Sequence, residues 1–366
     1  MMKKWRIGIL SGGGDCAGIN SAIKWVVNAA LDEQRCLKNG YQFEVLGIHN
    51  GWKGLTGSPQ DVSQNTLPLD TATVRTWDRQ GGTFLGTSRT NPFNKNNDQS
   101  QVVLANIENL GLDVIIAIGG DGTQSITYRL SQEGVNVIGV PKTIDGDLEG
   151  TDYTLGFETA LNVIVEDIDK LRTTAGSHQR IFVVETMGRN AGWLALEGGE
   201  AAGAYIILIP EHDFSVEKVN ELILAGKKAG DRYEIIVVAE GAKPRGMQQI
   251  TKDERVDSFG HKSLGGIGAY LAAEIQKGTG LEARSQVLSY LQRGGAPCAY
   301  DRRMGRYFGI AAVDMIMRQE FGRMVTFNSC KFTSVPLKDV FGRLKLVDVP
   351  SRYDTEKYNG RRRVIT

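Results

Sequence analysis

Cysteine is scarce in this chain: four among 366 residues, Cys16, Cys36, Cys298 and Cys330, scattered and with no CxxC spacing. That scatter argues against a disulfide framework or a zinc site and fits a reducing compartment. No charge of either sign is in excess. Lys and Arg number 43 against 42 Asp and Glu, a formal net charge of +1. No basic run dominates, so no nucleic-acid partner is expected. The cluster "GRRR" at 360–363 reads as a solvated terminus. Long apolar runs are missing as well: "DVIIAIGG" and "YIILIP" fall far short of the about 20 residues that cross a bilayer, and no membrane partner is expected. The start, "MMKKWRIGIL", carries two lysines but only a strand-length apolar stretch and nothing like a cleavage site. No signal peptide is expected there. Solenoid repeats and low-complexity linkers are also lacking. Together these absences lead to a soluble, globular, cytoplasmic protein, long enough to bury two cores.

Glycine, by contrast, is abundant, at 45 residues, and its placement is informative. Short apolar runs alternate with helical patterns. "RIGIL" precedes a helix with Ile19, Ala22, Ile23, Val26, Val27 and Ala30 on one face. "FEVLGIH", "VIIAIGG", "NVIGV", "RIFVVET", "YIILIP", "EIIVVAEG" and "SQVLSYL" read as strands, most of them continuously apolar. Continuous strands have both sheet faces covered, which predicts a parallel α/β architecture. Helices are expected at about 157–172, 190–203, 215–229, 262–277 and 302–319. The polar stretch at about 244–260 reads as a loop. Many strands end in glycine or a carboxylate, and ligands of open α/β sheets bind beyond those ends.

Three of these ends carry chemistry. "GILSGGGDCAGIN" is strand, glycine turn and helix. Gly12, Gly13 and Gly14 let backbone approach a phosphate, and the helix that follows offers its amino end to anions. It is neither a Walker A sequence nor GxGxxG. "VIIAIGGDGTQ" repeats the design: Gly119 and Gly120 permit close approach, Asp121 either coordinates magnesium or caps the helix, and Thr123 and Gln124 begin the helix. "PKTIDGDLEG" ends a strand in Lys142, Asp145 and Asp147. Phosphoryl transfer needs a base for the acceptor hydroxyl and a metal at the donor phosphates, roles two carboxylates can divide; a plain polar turn is the competing reading. Five arginines, Arg89, Arg180, Arg189, Arg284 and Arg293, lie near strand ends or glycine turns, where their forks suit phosphate. Glu240, closing "EIIVVAE", can accept a sugar hydroxyl or simply pair with a cation. His178 reads as a structural residue rather than a base.

Taken in order, "SGGGDCAGIN", "GGTFLGTSR", "IGGDGT", "PKTIDGD", "SHQR", "VETMGRNAG", "AEGA" and "LQRGGAP" resemble the 6-phosphofructokinase family from about residue 6 to 345. The resemblance implies two similar Rossmann-like, three-layer α/β domains with mainly parallel sheets and an active site in the cleft between them. The phosphoryl-donor domain would comprise 1–156 plus about 292–340, and the fructose 6-phosphate domain about 157–291 plus 341–366. It further implies Asp145 as the base toward the sugar 1-hydroxyl, Thr143 at the transferred phosphate, and Asp121 and Asp147 as Mg2+ carboxylates. Gly14, Gly120, Asp121, Gly122, Thr123 and Lys142 would line the donor phosphate. Arg89 and Arg189 would stabilise the transferring group. Met187, Gly188, Arg189, Glu240, Tyr290 and Arg293 would meet the sugar phosphate, with Arg180 and Arg284 crossing from a neighbouring subunit of a homotetramer or dimer.

The family uses ATP or pyrophosphate as donor. Pyrophosphate users typically carry an aspartate at the position of Gly122 and a lysine at that of Lys142, so this chain is mixed. Gly122 leaves room where a carboxylate would crowd and repel the α-phosphate of ATP, whereas Lys142 adds charge without blocking. ATP is therefore the expected donor and pyrophosphate the alternative. A non-catalytic sugar-phosphate or nucleotide sensor has no need of a base, and a dehydrogenase lacks its GxGxxG. Three departures stand out. Gly146 replaces the asparagine usual in short ATP users. Tyr290 replaces a histidine on the 6-phosphate and cannot carry positive charge. Lys24, Asn28 and Tyr205 occupy effector positions that bear two arginines and an acidic residue in allosteric bacterial members, so effector control is expected to be weak or absent.

Overall fold

The computed structural model describes residues 2–256 and 262–362. Its larger sheet has seven strands in the order Lys331–Pro336, Arg323–Asn328, Val137–Pro141, Val114–Gly119, Lys3–Gly12, Tyr41–Ile48 and Thr66–Leu69. The five inner strands are parallel, and the two outer ones run antiparallel to their neighbours. Val114–Gly119 and Val137–Pro141 are buried at every position, the signature of a sheet covered on both faces. The smaller sheet is fully parallel, in the order Ala283–Val287, Ile181–Thr186, Glu234–Ala239 and Ile206–Leu208. The protein is thus an α/β fold of two Rossmann-like units with mainly parallel sheets.

Register decides where the loops emerge. Gly12 pairs with Gly119, and Gly119 with Pro141, so three neighbouring strands of the larger sheet end level and release their loops side by side. In the smaller sheet Thr186 pairs with Ala239 and Val287 with Glu185, again aligning three loops. The helix Phe157–His178 leads from one unit to the other, and Ala299–Met317 returns to pack on Ile19–Ala30. That crossing is close: a Cβ on Gly309 would lie 2.6 Å from the Ala22 carbonyl oxygen.

The structure departs from the sequence reading in several elements. Arg323–Asn328 and Lys331–Pro336 form an additional hairpin on the larger sheet. The strand expected through 291 stops at Val287, and Ser289, with φ of 41°, begins the short 3-10 turn Ser289–Arg293. The first unit-linking helix continues to His178, past 172. The helix expected from 262 begins at Ile267, because Lys262–Leu264 is a strand paired with Thr251–Val256. The expected loop at 244–260 therefore contains a strand, and its residues 257–260 lie outside the described ones. The C-terminal segment is not a loose tail either. Tyr353 and Tyr358 are buried, the Tyr353 hydroxyl donates to the Ile207 carbonyl at 2.6 Å, and Ile207 N–H donates to the Tyr358 carbonyl at 2.7 Å. This closes the otherwise open edge of Ile206–Leu208. Within "GRRR", Arg361 and Arg362 are exposed and Arg363 lies outside the described residues. Among the described residues no helix is long and apolar enough to cross a membrane.

Candidate active site

The first wall is built on absent side chains. A Cβ on Gly12 would lie 2.5 Å from Thr123 Oγ1, and one on Gly119 2.3 Å from Thr123 Cβ. Two bare strand ends thus let Thr123 lie across them. Gln124 locks the helix Asp121–Gln132 in place, its Nε2 donating to the carbonyls of Gly119 at 2.9 Å and Val140 at 3.1 Å. Gly120 is the N-cap and Asp121 the first helical residue, so the helix's amino end and its N–H groups stand at the strand ends. Gly13, at φ of 80°, turns the neighbouring loop. The segment leading to Arg89 is tied to it: Gly13 N–H donates to the Ser88 carbonyl at 2.9 Å, and Thr87 Oγ1 donates to the Gly13 carbonyl at 2.7 Å.

Lys142 does not project into open space. Its ammonium donates to the carbonyls of Gly12, at 2.9 Å, and Gly14, and its side chain is buried. Burial, with help from the charges of Arg293 and Arg89, brings its pKa down to about 8. Next along the chain, Thr143 Oγ1 accepts from Asp145 N–H at 3.1 Å. Gly146 then reverses the chain at φ of 67°. Glycine and asparagine are the residues that visit this left-handed region at little cost, which explains why the two interchange between the aspartates.

Asp145 Oδ1 is buried and has no hydrogen-bond partner among the described residues. Burial raises its pKa, while the positive charges of Arg293, Arg189 and Lys142 pull it back. Asp147 is raised to about 7, first by burial and then by the negative charges of Asp145 and Asp121. Asp147 is therefore repelled by two neighbouring carboxylates while buried, a cost that a divalent cation would remove. Among the described residues no group of three or more His, Cys, Asp and Glu converges as a preformed cage. Mg2+ binds through one or two carboxylates plus substrate phosphates, chemistry that the neighbouring carboxylates of Asp121 and Asp147 fit.

The second wall comes from the smaller sheet. Met187 N–H donates to Gln292 Oε1 at 2.8 Å, and Glu240 N–H donates to the Thr186 carbonyl at 2.8 Å. Gly188 adopts φ of 129°. A Cβ on Gly241 would fall 1.9 Å from the Arg189 carbonyl oxygen, so the two loops touch through bare backbone. Arg89, Arg189, Asp121 and Glu240 are each engaged with neighbours. Arg293 bridges the walls: its Nη1 donates to the Asp15 carbonyl at 3.0 Å and crowds Gly14. It thus lies on the first glycine loop as well as near Asp145.

Other expected residues fall elsewhere. Arg180 and Arg284 share one carboxylate just before the edge strand, Arg180 Nε and Arg284 Nη2 each 2.6 Å from Glu282. Tyr290 is 75% exposed. The loop 49–54 beside the first glycine turn is mostly packing: Trp52 is buried, and Gly51 presses on the Ser11 carbonyl. The sequence reading missed Gln292 and gave Gln124 only as a helix-start residue; both hold the walls from behind. Both sit inside quoted motifs, but a buried amide leaves no spacing signal of its own.

Comparisons with known proteins assign the family. A family model described as phosphofructokinase matches residues 6–316. A Streptomyces coelicolor protein named pyrophosphate–fructose 6-phosphate 1-phosphotransferase is 45% identical over 95% of this chain and 98% of its own length. A Mycobacterium bovis ATP-dependent 6-phosphofructokinase is 42% identical over 95% of this chain and 98% of its own. The solved phosphofructokinase of Saccharomyces cerevisiae superposes with a TM-score of 0.75 at 28% identity, covering 92% of this chain, which spans 45% of the yeast chain. On the matched motifs, the fold and these relatives together, the chain belongs to the phosphofructokinase family of phosphotransferases.

Proposed function

We propose that the protein transfers a phosphoryl group from MgATP to the 1-hydroxyl of fructose 6-phosphate, giving fructose 1,6-bisphosphate and ADP. The observation that carries this is the buried Oδ1 of Asp145, without a hydrogen-bond partner among the described residues and flanked by cations from both units. The sugar oxygen attacks the γ-phosphorus, its proton passes to the Asp145 carboxylate, and the bond from phosphorus to the ADP oxygen breaks. Arg89 and Arg189 stabilise the transferring group, and Thr143 lines it. Asp121 and Asp147 would hold Mg2+, which supplies positive charge at the donor phosphates. Gly14, Gly120, Gly122 and Thr123 leave the donor its space. Met187, Gly188, Glu240 and Arg293 meet the sugar phosphate, and Arg180, Arg284 and Tyr290 complete the site in a homo-oligomer. The donor unit spans 1–156 plus about 292–340 and the sugar unit about 157–291 plus 341–366. The protein acts in the cytoplasm.

Pyrophosphate is the second reading of the donor. It is favoured by the buried cation of Lys142 at the glycine loop and by the Streptomyces relative's name. The test supplies purified protein with Mg2+, fructose 6-phosphate and either ATP or pyrophosphate, following the bisphosphate. Turnover with ATP alone supports the Gly122 argument, turnover with pyrophosphate alone overturns it, and no turnover with either removes the activity. In the working assay Asp145→Ser is expected to lower kcat by about 10³-fold while fructose 6-phosphate binding persists; retained turnover would move the base elsewhere.

A further inference from the structure

The two walls of the cleft are joined by a segment that no motif marked. Lys345 N–H donates to the carbonyl of Asp147 at 2.9 Å. The carbonyl of the same residue accepts from Trp193 Nε1, also at 2.9 Å. Trp193 opens the helix that follows the Arg189 loop. One peptide therefore grips the carboxylate loop of the larger unit on one side and the guanidinium loop of the smaller unit on the other.

Flanking contacts make this a braced element rather than a single chance contact. Leu344 bridges Leu148, which is fully buried. Glu211 accepts from Gly192 N–H at 3.0 Å and from Val347 N–H at 2.8 Å. The Lys345 ammonium donates to the Thr151 carbonyl at 3.2 Å and lies 5.6 Å from the Trp193 ring centre. Within its own unit the carboxylate loop is also held through Thr143. The Arg189 loop rests on Gly241 within its own.

We propose that residues 344–347 form a strap that fixes the separation between Asp145–Asp147 and Arg189, and that Trp193, Lys345 and Glu211 are positioning residues for phosphoryl transfer. The proposal rests on the functional reading above. Misplacing a catalytic group by about 1 Å costs on the order of 100-fold in rate. A single slackened strap contact is therefore expected to act on kcat before it acts on sugar binding.

The test is Trp193→Phe, which keeps an aromatic ring and removes the donor to Lys345. Expected are a fall in kcat of about 10-fold, less than a complete misplacement, an unchanged KM for fructose 6-phosphate, and an unchanged unfolding temperature. Hydrogen exchange should quicken together at the amides of 145–148 and 189–193, a readout that needs no activity. Glu211→Gln, which retains one acceptor oxygen, should quicken exchange at Gly192 and Val347 with a smaller loss of kcat. Wild-type exchange in both loops, or a lowered unfolding temperature with kcat intact, overturns the strap. Absence of fructose 6-phosphate turnover in the wild type would instead remove the functional reading, and exchange would still decide the strap.

Discussion

The side-chain nitrogen of Lys142 stands 2.9 Å from the carbonyl oxygen of Gly12, across 130 residues of chain. A cation on the third strand end thereby pins the glycine loop on the first. Lys142→Met is expected to raise the donor KM by about tenfold, the lower range for loss of a charged hydrogen bond. Because the Lys142 pKa is down to about 8, the ammonium is charged below that pH and neutral above it. Donor kcat/KM should fall as pH rises through about 8 in the wild type and lack that step in the variant. An unchanged donor KM would place Lys142 outside the donor site.

Asp301 anchors the junction of the units. Its fully buried carboxylate accepts from the Tyr153 hydroxyl at 2.7 Å, Gly156 N–H at 2.6 Å, Thr159 N–H at 2.8 Å and Thr159 Oγ1 at 2.6 Å. Asp301→Ala strands these donors without water and is expected to cost at least about 3 kcal/mol. Asp301→Asn, which keeps one acceptor oxygen, should cost less. Denaturant unfolding of the two variants checks the order.

Glu234 supplies a pH dependence of stability. It is buried beside Asp231, and both carboxylates would lie 2.8 Å from a Cβ on Gly226. Burial first, and then the Asp231 charge, raise its pKa from 4.5 to about 7. A folded-state pKa above the unfolded one contributes stability that is full below about 4.5 and lost as pH rises through about 7. Glu234→Gln lacks this dependence, so melting temperatures of variant and wild type should shift in the variant's favour between those values. Parallel melting curves across that window would contradict the assignment.

Lys24, at an effector position by resemblance, is committed internally, 2.8 Å from both Asp78 and the Arg75 carbonyl. Tyr205 donates to the Leu222 carbonyl at 2.9 Å. Adding ADP or phosphoenolpyruvate is therefore expected to leave the half-saturation for fructose 6-phosphate unchanged. A several-fold shift in saturation curves would show that the site retains effector binding.

The α/β class was legible because burial on both sheet faces writes continuous apolar runs such as "VIIAIG", and the glycine turns were legible because close backbone approach requires glycine. The hairpin at 323–336 was not, since its strands are less apolar and partly exposed. Nor was the stop at Val287, where the edge strand Ala283–Val287 exposes most of its residues and so lacks the hydrophobic pattern that marks a boundary.

The sequence by itself determined the inventory: glycine turns after strands, Asp121, Asp145 and Asp147 at strand ends, and an order of motifs that names the family. Residue type at a strand end suffices for these, because close backbone approach demands glycine whatever segment approaches. Only the tertiary structure decided that Lys142 is spent on the glycine loop, that Arg293 reaches Asp15 from 278 residues away, and that Lys345 ties Asp147 to Trp193. Such contacts depend on sheet register and on how two units pack, and neither leaves a pattern in the residues that make them.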